Sequence, residues 1–551
     1  MKNFLFLTLL LINLCFIQNQ RCGADQIKLK PKPISLKSRK NQNLSKVKAD
    51  SYSPLTIGYD FSTLQKPSSM SSTTFNTIKS SLISVSKEFS KIIKIQHEAF
   101  PLTNLKDTIM SYCGLSVIGA DYENFLTTND VIIFPQFDTT LGDSVIAAAG
   151  ACIIEAETTH PYGGVLYINQ NIDFSQNNID VYMKNVLLHE ITHILIFSPG
   201  IYTSLGLNNT LNGVNYITSQ NVLARAREHF NCQTLPGVPL ESQGGTGTVS
   251  SHWESRYMLG DYMVSTDFPD SAISDITLAL FEDSGFYKVN YYSGGLFKFG
   301  KNEGCGFFSQ KCIENEAASF DEFCAEESQA LCSSSRTIKT SCYLTTYSSV
   351  LPSEYQYFSN SRKGGYPHAN YCPVPYETRG STDYFPKHCQ FGSDSSNYGE
   401  ALGSNSFCFM SSIVAESSNS ISQTPVCYAI ECDSTNQIII VNIGDQSIEC
   451  PASGGTVTAS SGLKGSIICP AYSELCPSDD IVCNDMYTCF TKYAEKDNYD
   501  YSTSPYNYEG TTLGDDDDDD EDFIPIRTTN SSYLRTNLVL ILAICLALLN
   551  Y

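Results

Sequence analysis

The chain has 551 residues, 42% of them hydrophobic, and a formal net charge of −23 at pH 7. That length and composition exclude a wholly disordered chain and leave room for two or three domains with a substantial core. The acidity argues against nucleic acid as a partner, because phosphate recognition needs a basic surface.

The chain opens with Lys2 and an apolar run from Phe4 to Ile17, which reads as a secretory signal peptide placed at 1–22, its cleavage falling anywhere from about Ile17 to Ala24. Residues 25–50 hold eight Lys/Arg and two prolines but few large apolar groups, so 23–50 reads as a linker or removable pro-segment. "LTIGYDF", 55–61, reads as a strand. In 74–96, Phe75, Ile78, Leu82, Val85, Phe89, Ile92 and Ile93 recur at spacings of three and four, which predicts an amphipathic helix. "DVIIFPQF", 130–137, and "GGVLYINQ", 163–170, read as buried or edge strands, the second a place where an extended peptide could add.

Residues 180–197, "DVYMKNVLLHEITHILIF", follow a cap at Asn178 or Asp180 and are too long and apolar for a strand, so they predict a buried helix. Ser198, Pro199 and Gly200 are expected to end it. Asn208 in "NNT" is a glycosylation acceptor, as is Asn43 in "NLS". Residues 271–287 predict another helix. Beyond about residue 300 the chain turns to short strands rich in Ser, Tyr and Cys, which places a domain boundary there. The expected division is 51–197, 198–300, a Cys-rich 301–491, and a stalk over 492–533 that contains the acidic run 515–522.

The last segment, 534–551, carries an apolar run from Leu538 to Leu549, shorter than the roughly 20 residues a bilayer span needs. The preceding "TTNSSYLRTN" has the order of a lipid-anchor signal, with attachment near Asn530; a short transmembrane tail is the alternative. Of 21 cysteines, eighteen lie between Cys113 and Cys489, fifteen of them from Cys305 onward. That number suits up to nine disulfides, an oxidising compartment and a C-terminal part stapled by bridges.

The chemistry is concentrated in "HEITH", 189–193. His189 and His193 lie one turn apart on one helix face, a separation at which both can bind one Zn²⁺. Glu190 beside them can reach the metal's water without being a ligand. Catalytic zinc keeps three protein ligands and an open position. Six residues after the second His, where the short metzincin pattern has its third ligand, stands Pro199, which cannot ligate. Spacing leaves His229 and His252 as candidates, with His229 in a charged segment that faces solvent or packs locally.

Four stretches together resemble the leishmanolysin family of surface metalloproteases within the metzincins: "HEITH", "REHFNCQTLPGVPLESQGGTGTVSSHWESRYMLGDYM", "LALFEDSGFYKVNY" and "FGKNEGCGFF". The resemblance implies an α+β fold: a metzincin-type catalytic domain with a twisted mixed sheet and active-site helix, then a disulfide-rich, mostly β or irregular C-terminal domain. It implies one Zn²⁺ per chain held by His189, His193 and His252, the last 59 positions after the second. It implies Glu190 as the catalytic base, Met263 as the methionine-turn residue, and protein or peptide substrates. One departure is Ile196, where the family has glycine and breaks its helix; the helix is therefore expected to run on to Pro199–Gly200.

These readings describe a secreted or lipid-anchored zinc metalloendopeptidase with a role in cell adhesion, tied to the membrane by its anchor or tail. The alternative is a catalytically impaired adhesion or binding protein on the same fold. Cys22, in "QRCGADQ", adds the expectation of a pro-segment thiolate that fills the open zinc position.

Overall fold

The structure, a computed structural model, describes residues 52–476 apart from 97–104, 143–144, 246, 267–270, 292–296, 378–382, 420–421 and 461, together with the backbone of 32–34. Strand β1 is Lys32–Ile34 and β2 is Ile57–Tyr59. Helix α1, Ser72–Ile92, begins at Ser71, whose hydroxyl accepts from the Thr74 amide at 3.0 Å. It buries Ile78, Leu82, Val85 and Phe89 on one face. The helix stops earlier than the apolar spacing suggests, because Ile93 turns extended and Ile93–Ile95 becomes a strand. Consecutive isoleucines favour the pleated backbone once they have a partner, here Tyr287–Val289.

The N-terminal sheet also contains β3 (Val131–Asp138), β4 (Ala147–Glu155) and β5 (Pro161–Asn169). Its order is β1-β4-β5-β3-β2. β2, β3 and β5 run parallel, while β4 is antiparallel to β5 with Ala147 opposite Ile168. The stretch "GGVLYIN" is therefore interior, hydrogen-bonded on both sides, and cannot receive a peptide. The strand beyond it, β4, has the outer edge, on which β1 pairs only with Ile153–Glu155.

Helix α2, Ile179–Leu195, is buried on all sides from Tyr182 onward except Lys184. Each fully buried Leu or Ile contributes roughly 1.5–3 kcal/mol, so packing rather than helix propensity holds this helix. It approaches the sheet closely at Gly164, where a Cβ atom would stand 2.5 Å from Ile194. The helix ends at Leu195, not at Pro199–Gly200 as expected. Ile196 leaves it with φ −156° and ψ −40°, and the Thr192 carbonyl accepts both the Ile196 and Phe197 amides at 2.9 Å. Because φ stays negative, the exit requires no glycine. Pro199 instead begins the next short helix, Pro199–Ser204, which forces Ser198 into an extended conformation.

Helices α3 (Gln220–His229) and α4 (Asp275–Asp283) follow, the latter shorter than the 271–287 expected because Tyr287–Val289 forms a strand. The main apolar core continues past residue 300 to Phe385, and a second core runs from Phe407 to Cys476. The second core carries a six-stranded antiparallel sheet of β6 (Ser406–Ser411), β7 (Thr424–Asp433), β8 (Ile438–Ile443), β9 (Gln446–Cys450), β10 (Gly455–Thr458) and β11 (Ser466–Cys469). Their order is β9-β8-β7-β6-β11-β10. Eight disulfides join the sixteen described cysteines, six of them wholly beyond residue 310. The architecture is α+β, with a disulfide-rich C-terminal part. No helix among the described residues is long and apolar enough to cross a membrane.

Candidate metal centre

His189 and His193 project from one face of α2, with ring centroids 4.7 Å apart. His252 reaches them from a short extended segment. Its carbonyl accepts from the Glu241 amide at 2.8 Å, and the next residue, Trp253, donates its amide to the Met263 carbonyl at 3.0 Å. The third imidazole centroid lies 5.2 Å from that of His189 and 5.0 Å from that of His193. One nitrogen of each ring lies within 4.8 Å of the others, and all three rings are buried.

The hydrogen bonds decide which nitrogens face inward. His189 Nδ1 meets the Tyr262 carbonyl at 2.5 Å, His193 Nδ1 the Phe197 carbonyl at 2.7 Å, and His252 Nδ1 the Thr248 carbonyl at 3.1 Å. A carbonyl only accepts, so each Nδ1 carries the hydrogen. Burial holds His189 down at about 4, and burial followed by the neighbouring histidines holds His193 and His252 well below the ordinary range. The rings are therefore neutral, and each Nε2 is a bare lone pair. His189 and His193 Nε2 stand 3.0 Å apart with no hydrogen to share, and His252 Nε2 is buried without a hydrogen-bond partner. Facing lone pairs repel unless a cation lies among them, so the donor set fits a metal that takes imidazole nitrogen. The helix exit at Ile196 matters here, since it turns the Phe197 carbonyl back onto His193.

Glu190, 1% exposed, lines a small cavity beside His189. Ile146, Val186 and Val264 form its apolar walls, with Ser265 and Thr266 as polar groups. Met263 is fully buried. Its turn is held by Asp261, which accepts from the Met263 amide at 2.7 Å, the Ser274 hydroxyl at 2.5 Å and the Thr277 hydroxyl at 2.8 Å. Burial pushes Asp261 up to about 6, against these donors, which favour its ionised form. Trp253 Nε1 also donates to Thr277 at 2.8 Å, so one network ties the third histidine's segment to the methionine turn.

His229 lies elsewhere. It stacks on Phe297 at 4.8 Å and meets the Phe299 carbonyl at 2.9 Å, as expected of a locally packed residue. Asn208 sits half-buried in a hairpin of Asn208–Leu211 and Val214–Ile217. Cys22 and Asn530 lie outside the described residues. Sequence reasoning did not find Tyr262, Asp261 or Glu241. The first acts through its backbone carbonyl and the others through long-range contacts, so no spacing signals them.

A buried three-histidine cluster, with a glutamate adjoining the first on the same helix, is a donor set positioned to bind a metal. The leishmanolysin model of peptidase family M8 matches residues 72–482, more than half of the chain, and the chain belongs to that family. It is 28% identical over 389 residues to a leishmanolysin homolog of Crithidia fasciculata, covering 67% of this chain and 58% of that protein. It is 31% identical over 263 residues to leishmanolysin of Leishmania tropica, covering 46% and 39%. A leishmanolysin-like peptidase of Drosophila melanogaster is 31% identical over 309 residues, covering 48% and 44%. The chain thus spans less than two thirds of these relatives' own length.

Proposed function

We propose that the protein is a zinc metalloendopeptidase that hydrolyses peptide bonds of proteins outside the cell or at its surface. The observation that carries this reading is the convergence of one imidazole nitrogen from each of three buried histidines, all within 4.8 Å of one another, beside the buried Glu190 carboxylate. His189, His193 and His252 would hold one Zn²⁺. The ion, when bound, supplies Lewis acidity toward the scissile carbonyl and the attacking water. Glu190 accepts the proton of that water on its carboxylate and passes it to the leaving nitrogen. The surrounding apolar walls keep other water away, which strengthens that transfer.

Substrate would lie extended along the outer edge of β4. Among the described residues, 147–152 have no strand on that side. The cavity of Ile146, Val186 and Val264 then receives one apolar side chain. The eight disulfides among the described residues suit an oxidising setting, and we extend the reading to a glycan at Asn208 and a lipid anchor near Asn530. Purified protein assayed for zinc content and for cleavage of an unstructured protein tests the function. One zinc per chain and chelator-sensitive cleavage are expected; absence of either overturns it.

A further inference from the structure

A buried carboxylate–imidazole pair beside the third histidine's segment, Glu241 and His368, has no part in the chemistry above. Both are 1% exposed. Glu241 brackets the third histidine through its backbone: its amide donates to the His252 carbonyl at 2.8 Å, and its carbonyl accepts from the Ser250 amide at 2.8 Å. Its side chain gathers three other parts of the chain. Oε1 accepts from the Gln243 amide at 2.7 Å, and Oε2 accepts from the Ser265 hydroxyl at 3.1 Å. His368 Nδ1 lies 3.0 Å from the same hydroxyl and 3.4 Å from Oε2. The Ser265 hydrogen is committed to Glu241, so Nδ1 carries its own hydrogen and donates it to the Ser265 hydroxyl oxygen, with Glu241 Oε2 alongside.

His368 comes from far along the chain, in the turn Pro367–Ala369, which is fixed by Cys372 through its bridge to Cys312 and through its carbonyl, which accepts from the Tyr366 amide at 3.0 Å. It also supports the loop that holds the ligand. Gly244, at φ +85°, passes so near that a Cβ would stand 2.5 Å from His368 Cε1. Four residues on, Thr248 supplies the carbonyl that His252 Nδ1 meets at 3.1 Å. The imidazole therefore braces both the backbone that flanks His252 and the loop that orients its ring.

We infer that Glu241 and His368 form a positioning unit through which the disulfide-bonded C-terminal part holds the third metal ligand in place. The inference rests on the zinc reading and deepens it: the N-terminal helix supplies two ligands, but retention of the metal depends on a residue more than a hundred positions beyond the third. Groups that orient ligands typically change metal affinity about 10–100-fold when removed.

The test uses the full secreted chain, loaded with zinc and mixed with a chromogenic chelator. His368→Ala and Glu241→Gln are expected to release zinc at least about tenfold faster than wild type. His368→Asn keeps an N–H close to the Nδ1 position and is expected to restore release to near the wild-type rate. The gain in Tm on zinc loading, measured against each metal-free variant, separates loss of metal from general loss of fold; it is expected to shrink in the first two variants and return in the third. Should His368→Ala not fold, Glu241→Gln and His368→Asn carry the comparison. Release by both disruptive variants within twofold of wild type would overturn the inference. A wild-type chain that takes up no zinc would instead overturn the functional reading beneath it.

Discussion

Tyr262 holds helix α2 at two points: its carbonyl accepts from His189 Nδ1 at 2.5 Å, and its hydroxyl lies 2.8 Å from Thr192 Oγ1. The Thr192 hydrogen is already donated to the Leu188 carbonyl at 2.8 Å, so the tyrosine is the donor. The two partners are therefore not equivalent. Tyr262→Phe removes one hydrogen bond and leaves Thr192 satisfied, a cost of about 0.5–1.5 kcal/mol. Thr192→Val leaves a buried hydroxyl without an acceptor, which adds about 1–3 kcal/mol of desolvation. Denaturant unfolding should rank Thr192→Val as the more damaging; the reverse order would contradict the donor assignment.

Gly164 permits the contact between sheet and helix. A methyl group there meets Ile194 at 2.5 Å, one residue beyond His193. Gly164→Ala should destabilise the fold by about 1–3 kcal/mol through overpacking. Displacement of the helix should also weaken zinc binding. A variant as stable as wild type, with unchanged zinc affinity, would show that the helix has room to move.

His388 sets one acid limit of the fold. Burial lowers it to about 3, and its ring stacks on Phe391 with centroids 3.7 Å apart. The native chain keeps it neutral, whereas the unfolded chain protonates it near 6.5. Its contribution is thus fully present above pH 6.5 and is lost as pH falls toward 3, at about 1.4 kcal/mol per pH unit. His388→Gln should flatten the decline of unfolding free energy by about one proton across that window. Parallel curves for the two proteins would contradict it.

Cys22 gives a prediction about latency. If its thiolate fills the open zinc position, the secreted precursor should not cleave substrate, and Cys22→Ser should do so without processing. A secreted precursor that starts after Ala24, or a Cys22→Ser precursor that stays latent, would remove the thiol from the account.

The helix that carries His189 and His193 is legible in the sequence because burial on every side leaves an uninterrupted apolar run with two histidines one turn apart. Its last turn is not. A β-branched Ile196 lacks the freedom that a left-handed exit demands, but the backbone leaves at negative φ and the Thr192 carbonyl closes a wide turn instead. β4 was not expected either, since "AAAGACIIE" has weak intrinsic strand preference and forms by pairing with β5. Missing it made β5 look like an edge. Spacing could not choose between His229 and His252, because a third ligand 59 positions on is delivered by tertiary structure. The Glu241–His368 contact, across 127 positions, has no local signature at all.

The most direct test of the account compares wild type with Glu190→Ala, both purified as the full chain. Each should carry one zinc, because the three histidines are untouched. The wild type should cleave an unstructured protein, and the variant should lose about 10²–10⁴-fold in rate with the general base removed. Equal cleavage by the two proteins, or a wild type that binds zinc and cleaves nothing, would contradict the assignment of Glu190 and with it the catalytic reading of the site.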